Sequence, residues 1–233
     1  MIRTSNPTFD TAHVEPSWPL KHAIILGCLG LATTLLISLL VATSVPREML
    51  SSRELVPVSS ILECVTFTFL ACLYLVIIRK DNWSDFWESI HWHSKSRTIV
   101  GWSGIGLLMS ALIQHLNGVS LGINNASSPA LTGKFILDTF LATALMQPLI
   151  EEVYFRGILF EALCSKVGWI WSISIVTIAF ALPHVQHQLA VLPMAILLAV
   201  ARISTRSTSV CFAFHASYNL GIVIWAYWPV IRT

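Results

Sequence analysis

Apolar residues along this chain fall into long runs separated by short polar joints, and the lengths of the runs decide what they are. The first 20 residues mix three prolines with both charge signs and read as a disordered tail. A first apolar run extends from His22 to about Ser44, ended by Val45-Pro46-Arg47, and a second from about Val56 to Ile78, stopped by Arg79-Lys80-Asp81. The first run starts too late and is too long for a cleaved signal peptide, so it is expected to stay in the chain as a membrane helix. The third covers about Thr98 to Leu121, and the fourth begins near Phe135 and continues past Pro148 to about Leu163. Shorter runs follow at Trp169–Leu182, Leu189–Ile203 and Ser209–Trp228. A crossing of hydrocarbon takes about 20 apolar residues, so the pattern predicts an all-α, polytopic transmembrane helix bundle of about seven spans, six at fewest and eight at most. The divisions are residues 1–20 as the tail, 21–130 as N-terminal transmembrane helices and loops, and 131–230 as a C-terminal core.

Two segments depart from this regularity. At about 1.5 Å per residue, the roughly 29 residues of the fourth run would extend about 43 Å, so tilt, a kink at Pro148 or a break is expected. Between the second and third runs, DNWSDFWESIHWHSKSR sets three tryptophans among charges. Amphipathic rings prefer the headgroup level, so this segment is expected to lie at the interface.

Composition excludes several classes. Of 233 residues, 55% are hydrophobic and 11% charged, with a mean hydropathy of +0.72, whereas soluble domains carry about a quarter charged residues. The net charge of +2 is spread along the chain without a basic tract, which leaves nucleic acid no phosphate-binding surface. Cys28, Cys64, Cys72, Cys164 and Cys211 show no paired spacing and read as small hydrophobes. With a cytoplasmic N-terminus, the inner loops of the seven-span arrangement hold about ten of the 14 lysines and arginines, the orientation favoured by the positive-inside rule. The expectation is a multi-pass integral membrane protein, in the cell (inner) membrane if the chain is bacterial, with the lipid bilayer as its surroundings.

Against this background, ionisable groups inside apolar runs are functional candidates, since each costs at least about 2.5 kcal/mol to place there. The densest set is Glu151-Glu152-Val153-Tyr154-Phe155-Arg156-Gly157. Glu152 and Arg156, at i and i+4, share a helical face and can neutralise each other. Glu151 points about 100° away and is left unmatched, so it requires a polar cavity, a metal or a shifted proton affinity. A shorter helix with these charges solvated at its end is the plainer alternative, weakened by the return of apolar residues at Ile158-Leu159-Phe160. His184 closes the fifth run, with His187 three residues on, and His215 and Asn219 share a face of the seventh. Any one of them alone is more simply a hydrogen-bonded filler. Together, Glu151, His184, His215 and Asn219 can hydrolyse an amide: a carboxylate and an imidazole activate water, and a second imidazole with a carboxamide stabilises the oxyanion. Glu151, His184 and His215 also suffice as ligands of a catalytic Zn2+ with an open position, and the sequence leaves both mechanisms open. There is no HExxH pattern.

EEVYFRG, FALPH and HASYN, in this order on successive C-terminal hydrophobic segments, resemble the E-E-x-x-x-R, F-x-x-x-H and H-x-x-x-N/D motifs of the CAAX protease and bacteriocin-processing family of intramembrane endopeptidases, also called the Abi family. All three motifs match without substitution, the similarity extends over about Phe135–Ile224, and the N-terminal 120 or so residues carry no comparable signal. The resemblance implies an all-helical membrane protease, CAAX prenyl protease-like, acting on a membrane-associated protein or peptide. It implies Glu151 as general base assisted by His184, His215 and Asn219 at the oxyanion, and Glu152 with Arg156 as structural support. Such enzymes have been described both as metallopeptidases and as metal-independent glutamate proteases.

One geometric difficulty stands. A straight fifth helix starting at the cytoplasmic side carries His184 about 22 Å along its axis, away from Glu151. Rival readings are a non-catalytic bacteriocin-immunity or membrane scaffold protein, and a transporter using Glu63, Asp138, His115 and Gln114. Gly101-Trp102-Ser103-Gly104 also resembles the serine motif of rhomboid proteases, although small residues in a membrane helix more often serve close packing.

Overall fold

A computed structural model describes residues 18–44, 55–75, 77, 80, 82–117, 140–184 and 188–231. The candidates Asp138 and His187, and residues 1–17 of the tail, lie outside them. Among the described residues all regular structure is helical.

The first helix, α1 (Leu20–Ser44), places Leu31, Leu35 and Leu39 outward at intervals of four, each at least 60% exposed, while Ala23, Leu26, Thr33 and Ile37 are buried on the other side. An outward stripe of leucine is what a helix in lipid presents. Gly27 and Gly30 face inward where a side chain would not fit: a Cβ on Gly27 would run into the Tyr154 hydroxyl, and one on Gly30 would lie 3.0 Å from the Phe67 ring. These two positions bring α1 against α2 (Leu55–Tyr74) and against the helix that carries Tyr154.

The tryptophan-rich joint contains a short helix, α3 (Trp83–Ser89), with Phe86 buried and Trp83 and Trp87 exposed. Trp18 is fully buried against it and its indole N–H donates to the Ser89 hydroxyl at 3.0 Å, so the end of the stretch read as a tail is packed. Beyond α3, the carbonyls of Ile90 and His91 accept from the Thr208 hydroxyl and amide, and the His93 carbonyl accepts from the Ser207 hydroxyl. This polar strap fixes the joint between the last two helices.

The helix α4 (Ser96–Asn117) lies against α7 (Thr208–Ile231). Close approach depends on Gly106, whose Cβ would strike the Phe214 carbonyl, and on Gly221, whose Cβ would strike Ser110. Gly101 and Gly104 face open space, so the helix packing expected of the Gly101–Gly104 motif is supplied two residues later by Gly106.

The site is carried by α5 (Phe140–Ala181), a continuous helical stretch of mixed winding. Phe140–Met146 is π-helical, Gln147–Glu152 α-helical with Pro148 in its first turn, Val153–Leu159 π-helical again, and Phe160–Ala181 α-helical. Pro148 has no N–H to donate, and the change of winding falls where that donor is missing. The true break is at Gly168 (φ 76°, ψ 166°), a conformation open essentially to glycine alone. It divides α5 into arms 140–167 and 169–181, close to the boundary expected between the fourth and fifth runs. Phe155 and Phe180, from opposite arms, meet edge to face at 5.3 Å, so the second arm folds back along the first.

The remaining helix, α6 (Gln188–Thr205), buries Val191, Met194, Ala195, Leu198 and Ala201 at i, i+3, i+4 spacing against Val210, Cys211, Phe214 and Tyr218 of α7 and Phe180 of α5. A second core gathers Leu26, Phe86, Ile90, Ile158 and Ala162. Among the described residues, α1, Ser96–His115 within α4, and α5 are long and apolar enough to cross a membrane, with shorter apolar helices at Ile61–Tyr74 and Val191–Thr205.

Candidate active site

Glu151 and Glu152 occupy the α-helical turn between the two π-helical stretches. Glu152 is fully buried, and its Oε1 accepts from the Arg156 guanidinium at 3.0 Å and from His215 Nδ1 at 2.8 Å. The expected Glu152–Arg156 pair is therefore present, with an imidazole added from α7. Because a carboxylate only accepts here, His215 holds its proton on Nδ1 and turns Nε2 to the other side. That nitrogen lies 3.9 Å from Glu151 Oε2. Glu151 is partly exposed, and its Oε1 accepts from the Gln147 amide at 3.0 Å, one turn earlier.

His184 stands just past the second arm of α5, and its Nδ1 donates to the Phe180 carbonyl at 2.9 Å. In the neutral ring this leaves Nε2 with a free lone pair. The earlier difficulty over His184 disappears at Gly168: Glu151 lies seventeen residues before the break and His184 sixteen after it, so back-folding returns them to the same level. Both line a partly open cavity of 430 Å³ bordered by α1, α2 and α5, with apolar walls from Leu26, Leu31, Phe67, Ile150, Phe155 and Phe180. Glu63 and Thr34 line it as well.

Asn219, one turn beyond His215, donates from Nδ2 to the Thr143 carbonyl at 2.9 Å and does not line the cavity. It ties α7 to the π-helical stretch preceding Glu151, and its second amide N–H is left over. Two groups beyond the sequence candidates complete the arrangement. One is Gln147, whose signal was its i−4 spacing from Glu151. The other is Phe180, whose ring has Arg156 Cζ at 4.2 Å, His184 at 5.3 Å and His215 at 5.7 Å. The ring covers the buried guanidinium, two of whose nitrogens, Nε and one terminal NH2, have no hydrogen-bond partner among the described residues.

A zinc ion would require three ligands converging on one point. Each imidazole engages Nδ1 and so keeps Nε2 for a ligand, but among the described residues no three His, Cys, Asp or Glu side chains, Glu151, His184 and His215 included, form a group that could hold an ion. The site as built does not fit a metal. Of the remaining candidates, Ser103, His115 and Gln114 lie on α4 away from the cavity lining.

Residues 133–221 match the family model described as Type II CAAX prenyl endopeptidase Rce1-like. This segment contains the Glu151, His184 and His215 motifs, and over it the chain is similar to the CAAX endopeptidases. No curated protein and no solved structure matches the chain. The match and the three described helices long and apolar enough to cross a membrane both point to an integral membrane protein.

Proposed function

We propose that the chain is an intramembrane endopeptidase that hydrolyses a peptide bond of a membrane-associated protein or peptide, CAAX prenyl protease-like, using water activated by Glu151. The observation that carries this reading is that Glu151 and His184, from the two arms of α5, line one apolar-walled cavity.

Water held between the Glu151 carboxylate and His184 Nε2 loses a proton to Glu151 as its oxygen attacks the substrate carbonyl. The oxyanion forms on the α7 side of Glu151, beyond the cavity lining, where His215 Nε2–H and the remaining N–H of Asn219 meet it, and the proton on Glu151 then passes to the leaving amine. His215 can donate from Nε2 only as the imidazolium, since Nδ1–H is held by Glu152. The finer topology belongs to this reading too, namely a seven-span bundle in the cell membrane with a cytoplasmic N-terminus, on the count of basic residues in the loops.

The test is to reconstitute the full chain in liposomes with farnesylated peptides and to follow products by mass spectrometry, beside Glu151→Ala. Cleavage by the wild-type chain that is lost in the variant supports the proposal. No cleavage by the wild-type chain, with any cellular phenotype surviving Glu151→Ala, would overturn it in favour of a non-catalytic immunity or scaffold role.

A further inference from the structure

The cavity contains a carboxylate that the proposed hydrolysis does not use. Glu63 sits in the apolar stretch Ile61–Tyr74 of α2, outside the segment matched to the protease family, and lines the same cavity as Glu151 and His184. The Thr34 side chain of α1 is also on the lining. An ionisable group among apolar walls needs a partner of opposite charge or a functional reason to be there. Among the described residues, no lysine or arginine lines this cavity, and the nearby Arg156 is spent on Glu152 beneath the Phe180 ring. Two carboxylates, Glu63 and Glu151, therefore face this partly open cavity without a cation on its described lining.

Resting on the reading above that this cavity is where the peptide bond is cut, we propose that Glu63 is a specificity-determining residue that binds a lysine or arginine side chain adjacent to the scissile bond. A basic side chain brings the missing charge, and its aliphatic stem lies against Leu26, Leu31 and Phe67. The attraction between such a cation and Glu63 is stronger among apolar walls than at a wet surface. A substrate with a free carboxylate beside the cut brings a third negative charge and is repelled, so the chain discriminates by repulsion as well as by attraction. Preferred substrates are thus basic at the cut and are cleaved internally.

The experiment reconstitutes the full chain in phosphatidylcholine liposomes with a farnesylated peptide library randomised around its centre, and sequences the products. The wild-type chain is expected to enrich lysine or arginine beside the cut by about tenfold over norleucine, and Glu63→Gln to abolish that enrichment. Glu63→Asp keeps the charge and retains the preference, and the melting temperature of each variant reports on folding. A flanking preference identical in wild-type and Glu63→Gln proteins overturns the proposal. A second arm measures binding alone, comparing a fluorescent lysine peptide with its norleucine counterpart on Glu151→Ala and on the Glu63→Gln/Glu151→Ala double variant. If nothing is cleaved, hydrolysis fails as the function; a lysine preference in binding that disappears with Glu63→Gln still supports the role of Glu63, and equal binding of the two peptides overturns it.

Discussion

His215 reaches both carboxylates of the adjacent glutamate pair, with Nδ1 2.8 Å from Glu152 Oε1 and Nε2 3.9 Å from Glu151 Oε2. The two neighbours therefore divide the work. Glu152 is fully buried and holds Arg156 and His215, so replacing it by glutamine leaves a buried guanidinium without its counter-charge. Removing one partner of a buried pair costs about 3 to 5 kcal/mol, and Glu152→Gln is expected to lower Tm markedly and to abolish activity. Glu151→Gln keeps its bond to Gln147 and should hold Tm near the wild-type value while peptide hydrolysis falls by about 10²- to 10⁴-fold. Thermal unfolding in detergent beside a turnover assay separates the two; equal loss of stability in both variants would contradict this division.

Phe180 packs against Arg156, His184, His215 and Phe155 at once. Phe180→Leu keeps a hydrophobe of moderate size but removes the ring face over the guanidinium, a contact worth about 0.5 to 2 kcal/mol. The expected result is a modest fall in Tm with a loss in kcat greater than any rise in KM, because both imidazoles lose their common support. A variant with unchanged kcat would show that the ring is only filler.

Chelation addresses the donor set directly. Although both imidazoles keep Nε2 for a ligand, no three-ligand group of His, Cys, Asp or Glu is assembled among the described residues. Activity is therefore expected to survive extensive dialysis against a strong zinc chelator, with elemental analysis confirming metal-free protein. Loss on chelation and recovery on adding zinc would show that the two imidazoles rearrange to bind an ion.

The helices were legible in the sequence because bilayer thickness sets how long an apolar run must be: the run from Thr98 and the helix Ser96–Asn117 begin within two residues of each other. The Glu152–Arg156 pair was legible as well, since i, i+4 spacing on a helix is a local rule. The Glu152–His215 contact was not, because 63 residues separate the partners and no local pattern encodes which face of α7 meets α5. The π-helical stretches also escaped, for their side chains do not differ in type from those of an α-helix. Gly168 lay in view between two apolar runs, yet its consequence, setting Glu151 level with His184, depends on a backbone angle that composition does not specify.

That glycine yields the sharpest mechanical prediction. A Cβ at residue 168 would meet no atom within 4 Å, so any effect of Gly168→Ala must come from the backbone and not from crowding. At φ 76° and ψ 166° alanine is strained by about 1 to 3 kcal/mol, and the chain can relieve that strain only by changing the turn between the two arms of α5. Such a change shifts 169–181 against 140–167 and displaces His184, which follows the second arm, from the cavity it shares with Glu151. Gly168→Ala is therefore expected to lower Tm by a few degrees and, although remote from the cavity lining, to reduce kcat by at least about tenfold, since small misplacements of reacting groups are costly. The neighbouring Val167→Ala, at an exposed helical position, serves as control and should leave both quantities nearly unchanged. A Gly168→Ala protein that is less stable but fully active would show that the relative placement of the two arms does not set the distance between Glu151 and His184.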